Sequence, residues 1–126
     1  MPSLTLLHNP HCSTSVHALD ALHEAGHDVA VRRYLLVSER LSEDELRSLA
    51  ERLEGDPPNA LIRRDKEYER LGLDADGLGV DEVVTILAEH PRLLQRPILD
   101  DGTKAMIGRP RSRAAAWAQA GRVVDA

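Results

Sequence analysis

Apolar residues change their spacing several times along the chain, and each change marks an element. Leu4-Thr5-Leu6-Leu7 is a short, mostly apolar run that stops at His8-Asn9-Pro10. Proline has no N–H for a ladder and asparagine favours turns, so this run is predicted as a strand ending in a loop. From Ser13 onward, Val16, Leu19 and Leu22 share a helical stripe with Ala18, Ala21 and Ala25. His17, Asp20 and Glu24 fall outside the stripe, and Gly26 is a natural stop. Val29-Ala30-Val31 opens a second strand, expected to run to about Leu35. Strand, helix and strand in such close succession predict a βαβ unit with parallel strands and a right-handed crossover.

The middle of the chain reads as helical. Ser42 and Glu45 have capping-box spacing, and Leu46, Leu49 and Leu53 form a stripe that ends by Gly55. Asp56-Pro57-Pro58 breaks the chain, after which short helical pieces fit Asn59 to Arg63 and Lys66 to Leu71. Asp81 is the expected cap of a helix carrying Val83, Val84, Ile86 and Leu87 and ending near His90-Pro91. Strands then return. Pro97-Ile98-Leu99, the turn signal Asp100-Asp101-Gly102 and the segment from Lys104 to Ile107 predict a hairpin. A last helix, from about Ser112 to Ala120, carries Trp117. The order βαβ, a helical block over about 42–93, then ββα predicts an α/β fold. It is a thioredoxin-like mixed sheet with a helical insertion, in one domain over residues 1–126.

Composition narrows the function classes. A 126-residue chain that is 42% hydrophobic and 29% charged suits one soluble domain. With no Phe, one Trp and two Tyr, its core must be filled by Leu, Val, Ile and Ala. Sixteen Lys and Arg against twenty-one Asp and Glu give a net charge of −5, which argues against nucleic-acid binding. Any anion site must therefore gather arginines locally. A single cysteine excludes an internal disulfide framework. The start, Met1-Pro2-Ser3-Leu4, lacks the marks of a signal peptide, and no stretch nears the ~20 apolar residues that span a bilayer. The expectation is a reducing cytoplasm and no membrane partner.

That cysteine, Cys12, sits where a strand-ending loop meets a helix start. The first helical turn has unpaired N–H groups and partial positive charge, which lower a thiol pKa and cradle an oxyanion. Ser13, Thr14 and Ser15 add small hydroxyl donors, and His8 offers a further hydrogen bond or positive charge to the sulfur. His8, His11, Cys12 and His17 lack the CxxC or HxxxH spacing of a structural zinc site, so no metal is expected.

The segment His8-Asn9-Pro10-His11-Cys12-Ser13-Thr14-Ser15 resembles the active-site loop of the ArsC-type arsenate reductases, the class served by glutathione and glutaredoxin. Ala60-Leu61-Ile62-Arg63, His90-Pro91 leading to Arg96-Pro97-Ile98, and Ile107-Gly108-Arg109-Pro110 follow in the family's order, as does Tyr68-Glu69-Arg70-Leu71-Gly72-Leu73. The resemblance implies a thioredoxin-like fold and a cytoplasmic oxidoreductase of arsenic resistance. Cys12 would attack arsenate, with His8 helping to activate the thiol. Arg63, Arg96 and Arg109 would bind the anion, Arg63 having Arg64 as an adjacent rival, and Pro97 would be the cis proline near the site. It implies no tightly bound cofactor, glutathione or another small thiol as co-substrate, and a glutaredoxin-like reductant. One departure is Val16, where many members carry Arg. Two alternatives accompany the resemblance. One is a general thiol-transfer enzyme, or a member inactive on arsenate. The other is a redox-linked regulator that grips RNA polymerase, which typically needs a Cys-x-x-Cys pair where this chain has Ser15.

Overall fold

The computed structural model describes residues 4–120. The reading of the first three residues, and the ends of the expected 1–126 domain, lie outside the described residues. Four strands, β1 (Leu4–Leu7), β2 (Val29–Arg32), β3 (Ile98–Asp100) and β4 (Ala105–Ile107), form one sheet in the order β2-β1-β3-β4. β1 runs parallel to β2, and antiparallel pairs join β1 to β3 and β3 to β4. The helix α1 (Ser13–Glu24) connects the parallel pair. Three helices, α2 (Glu43–Arg52), α3 (Lys66–Arg70) and α4 (Val80–Glu89), intervene before β3, and α5 (Ser112–Ala120) follows β4.

Alternation along each strand divides the core into two layers, because successive side chains point to opposite faces. Leu4 and Leu6 of β1, Leu99 of β3 and Met106 of β4 pack against Ala18, Leu22 and Trp117 of α1 and α5. Their neighbours Leu7, Ile98, Ala105 and Ile107 pack on the other face against Leu46, Leu49, Val83, Val84 and Leu87 of the helical block. The block thus covers β1, β3 and β4 on one face of the sheet. On the first face Trp117 is fully buried and meets the His27 ring edge-on at 4.8 Å.

Two element boundaries differ from the sequence expectation. The second strand stops at Arg32 rather than near Leu35, because Leu36 N–H closes a turn onto the Arg33 carbonyl. That turn drops Tyr34 into the core, where its hydroxyl donates to the Leu94 carbonyl at 3.3 Å. The α4 cap is Gly79, not Asp81: Glu82 Oε2 accepts from Gly79 N–H at 3.1 Å, and Asp81 lies in the first turn, ion-paired with Arg47. A glycine has no capping side chain to read, so the neighbouring aspartate carried the signal. The Ser42 box is present, with Ser42 Oγ accepting from Glu45 N–H and Glu45 Oε1 accepting from Ser42 N–H.

Candidate active site

The loop between β1 and α1 is built around Asn9, which local pattern marked only as a turn residue. Its carbonyl accepts from Cys12 N–H at 3.0 Å, its Oδ1 accepts from His11 N–H at 2.9 Å, and its own N–H donates to Ser15 Oγ at 3.1 Å. These bonds fold the loop back so that Cys12 becomes the N-cap of α1, with extended backbone and the helix's free N–H groups directly after it. Cys12 is 8% exposed, yet its surroundings are charged rather than hydrocarbon.

Two arginines from distant segments close on the sulfur. Arg109, in the loop after β4, donates from Nη2 to Cys12 Sγ at 3.3 Å and from Nε to the Arg96 carbonyl at 2.7 Å. Arg96, in the turn before β3, approaches the sulfur with its own guanidinium. Burial pushes the Cys12 thiol up, but the N–H of Ser15, the Arg96 side chain, the Arg109 charge and the N–H of Thr14 outweigh it, so the pKa is lowered. These contacts favour the thiolate more than in a free cysteine.

Arg63 joins them from the helical block. Burial and the nearby charges of Arg96 and Arg109 press its pKa below the ordinary value, with Asp65 opposing at 2.8 Å. A guanidinium does not deprotonate in a protein, so the effect is electrostatic pressure among three cations gathered in one place. Arg96 Nε is buried without a hydrogen-bond partner among the described residues. Arg64, the rival to Arg63, turns away to pair with Asp76 at 2.6 Å and lies over the Tyr68 ring. Tyr34 stands behind the cluster: burial raises its phenol pKa and the charges of Arg96 and Arg63 oppose that rise.

The other predicted residues take distinct places. Ser15 is fully buried and turned inward, its Oγ 2.6 Å from His8 Nδ1, so it faces the loop interior with its hydroxyl and the sulfur with its N–H. His8 is buried beneath the loop; burial, then the Arg33 charge, lower its pKa and favour the neutral ring. Ser13 is exposed, and its Oγ accepts from Arg111 Nη2 at 3.1 Å. Arg111 went unnoticed in the sequence, yet it brings a positive charge beside the loop where Val16, 39% exposed, brings none. The Arg96–Pro97 peptide is cis, as is Arg109–Pro110. Gly108 lets these two loops meet: a Cβ there would lie 2.8 Å from Pro97 Cγ and 3.0 Å from Leu99 Cδ1.

A cleft of about 560 Å³ opens beside the site, with Asn9, Arg63 and Arg96 in its lining. Among the described residues, no group of three His, Cys, Asp or Glu side chains is placed to hold a metal ion, and no helix is long and apolar enough to cross a membrane. The arrangement is suited to a nucleophilic thiolate attacking an oxyanion held by fixed cations.

Comparison with known proteins gives the same outline. A model of the ArsC family matches residues 7–117. An arsenate reductase of Neisseria meningitidis is 39% identical over 111 residues, covering 87% of this chain and 93% of the relative. The solved structure of an arsenate reductase from Vibrio cholerae superposes with a TM-score of 0.78 at 32% identity, covering 91% of this chain and 97% of that one. The global transcriptional regulator Spx of Streptococcus mutans is 30% identical over 105 residues, covering 83% of this chain and 75% of the regulator.

Proposed function

This chain belongs to the ArsC family, and from that premise we propose that it reduces arsenate to arsenite with the Cys12 thiolate as nucleophile. The observation that carries the reading is the pair Arg96 and Arg109 at one sulfur, with Arg63 close to both and Arg96 Nε–H unpartnered among the described residues. Three mutually repelling cations, of which Arg63 is paired with Asp65, favour an added anion. A tetrahedral oxyanion accepts planar guanidinium donors in number.

Arsenate binds among the arginines, beside the N–H groups of Thr14 and Ser15. The Cys12 thiolate attacks arsenic, an S–As bond forms, and one oxygen leaves as hydroxide and is protonated to water. The arginines offset negative charge as it accumulates on the arsenic oxygens. An external thiolate then attacks the Cys12 sulfur. An S–S bond forms and the S–As bond breaks with its electron pair kept by arsenic, which falls from the +5 to the +3 state and leaves as arsenite. The sequence holds one cysteine, so the resulting disulfide joins Cys12 to the outside thiol. Glutathione serves as that thiol, and a glutaredoxin-like protein restores Cys12 by exchange. A reducing cytoplasm suits this cycle.

His8 acts at one remove. Its neutral ring is hydrogen-bonded to Ser15 Oγ and so holds the loop that presents the thiolate. The regulator reading lacks a comparable support, because position 15 offers a buried hydroxyl and no second thiol for a switch.

An assay of NADPH consumption with arsenate, glutathione, glutaredoxin and glutathione reductase tests the proposal. Arsenate-dependent turnover, lost in Cys12→Ser, is expected. A wild-type protein that turns over small disulfides in this system but shows no dependence on arsenate would make it a general thiol-transfer enzyme instead.

A further inference from the structure

We infer that Tyr34 is a positioning residue for this site: its hydroxyl, bonded to the Leu94 carbonyl, holds the segment that presents Arg96 to the Cys12 sulfur. This rests on the reading that Arg96 serves the thiolate and its oxyanion.

A phenol in this place calls for a reason. Tyr34 is 1% exposed, and its ring sits among Leu41, Leu46, Leu87 and Leu94. A phenylalanine ring would fill nearly the same volume, and a hydroxyl withdrawn from water destabilises the fold unless it is hydrogen-bonded. This hydroxyl donates to the Leu94 carbonyl at 3.3 Å. Burial raises the phenol pKa, so the proton needed for that bond stays in place.

Leu94 belongs to a braced stretch of backbone. Gln95 N–H donates to the Leu61 carbonyl and Arg63 N–H to the Leu93 carbonyl, both at 2.7 Å. These bonds flank an antiparallel bridge between Ile62 and Leu94, so segments 61–63 and 93–96 form one clip. In a pair of this kind the carbonyls of the two facing residues point away from each other. The Leu94 carbonyl is thus turned out of the clip, and Tyr34 meets it there.

Two residues further on, Arg96 faces the Cys12 sulfur with its guanidinium and holds Arg109 with its carbonyl. Its Nε–H has no partner among the described residues, so the aim of the side chain depends on the backbone that carries it. The charges of Arg96 and Arg63 oppose the burial-driven rise in the phenol pKa, which sets the hydroxyl close behind both cations.

Tyr34→Phe keeps the ring and removes the hydroxyl. The readout is the rate of Cys12 alkylation by iodoacetamide at a pH below the thiol midpoint, without arsenate. Tyr34→Phe should slow it about threefold, the scale of one neutral hydrogen bond. In an Arg96→Ala background most of that effect should vanish, because the tyrosine acts through Arg96. Val84→Ala, a core change in α4, should lower the thermal midpoint and leave the alkylation rate unchanged. Calorimetry on the same samples shows that each variant is folded. No slowing in Tyr34→Phe, equal slowing in both backgrounds, or the same slowing in Val84→Ala would overturn the assignment. Since alkylation needs no arsenate, slowing that depends on Arg96 in a protein inactive on arsenate would leave Tyr34 assigned and remove only the arsenate reading. Arsenate turnover without that slowing would do the reverse.

Discussion

Arg109 Nη2 lies 3.3 Å from Cys12 Sγ although 97 positions separate the two residues in the chain. The contact exists because β1 and β4 both flank β3, so the loop leaving β4 returns to the loop leaving β1. Arg109 is fixed from behind by its bond to the Arg96 carbonyl, which couples the two cations mechanically as well as electrically. A thiolate and an oxyanion can draw on the same pair.

The first prediction concerns the thiol. A lowered Cys12 pKa means that the ionised form persists to lower pH than in free cysteine. Iodoacetamide alkylation followed against pH should therefore reach half its maximal rate below the midpoint of free cysteine in the same buffer. Arg96→Ala and Arg109→Ala should each move that midpoint upward. A wild-type midpoint at or above that of the free amino acid would show burial to dominate.

The same arginines should carry substrate binding. Each charge-assisted hydrogen bond is worth about 1.5–3 kcal/mol, so Arg96→Ala or Arg109→Ala should lower kcat/KM for arsenate by about ten- to a hundredfold. Neither should greatly lower the thermal midpoint, since each removal relieves repulsion among Arg63, Arg96 and Arg109. Arg109→Lys should recover only part of the loss, because an ammonium cannot keep both the bond to the Arg96 carbonyl and the one to sulfur. Steady-state kinetics and calorimetry on the same samples decide it.

Gly108 should tolerate no side chain. A methyl there meets Pro97 and Leu99 at 2.8 and 3.0 Å, and the Gly108 N–H is bonded to the Pro97 carbonyl at 2.8 Å. Gly108→Ala should cost about 1–3 kcal/mol in urea unfolding and depress activity further by displacing Arg96 and Arg109. Unchanged stability would mean that the two loops yield more readily than their packing suggests.

Glu45 offers a pH test of the fold. Its hydrogen bond to Arg32, then its bond to Ser42 N–H, hold its pKa at about 2, against ~4.3 in an unfolded chain. A lowered carboxyl pKa stabilises the fold above the unfolded value and loses that contribution as pH falls from ~4.3 through about 2. The pair is partly exposed, so solvent screening reduces its worth to about 1 kcal/mol. Glu45→Gln keeps a capping-box side chain and removes only the charge. It should destabilise at pH 7 and approach wild-type stability near pH 2, as read by urea midpoints.

Much of this protein was legible locally. Leu4–Leu7, the stripe through Leu22, the Ser42–Glu45 box and the Asp100-Asp101-Gly102 turn each declare themselves through spacing or hydrogen-bonding chemistry within a few residues. Cys12 at a helix start was legible for the same reason. Where a local signal had a silent neighbour, as with Gly79 beside Asp81, the sequence pointed to the wrong residue. The family motifs named Arg63, Arg96 and Arg109, but nothing in their spacing tells that they meet. Only the pairing of β3 with both β1 and β4 brings Arg96 and Arg109 to one sulfur, and only the packing of the helical block on the sheet sets Arg63 close to both. Tertiary packing likewise turned Ser15 inward, sent Tyr34 behind the arginines and moved Arg111 beside Ser13. Periodicity reports which face of an element seeks cover; which distant charges end up side by side depends on how those faces are stacked, and that is settled by the whole core at once.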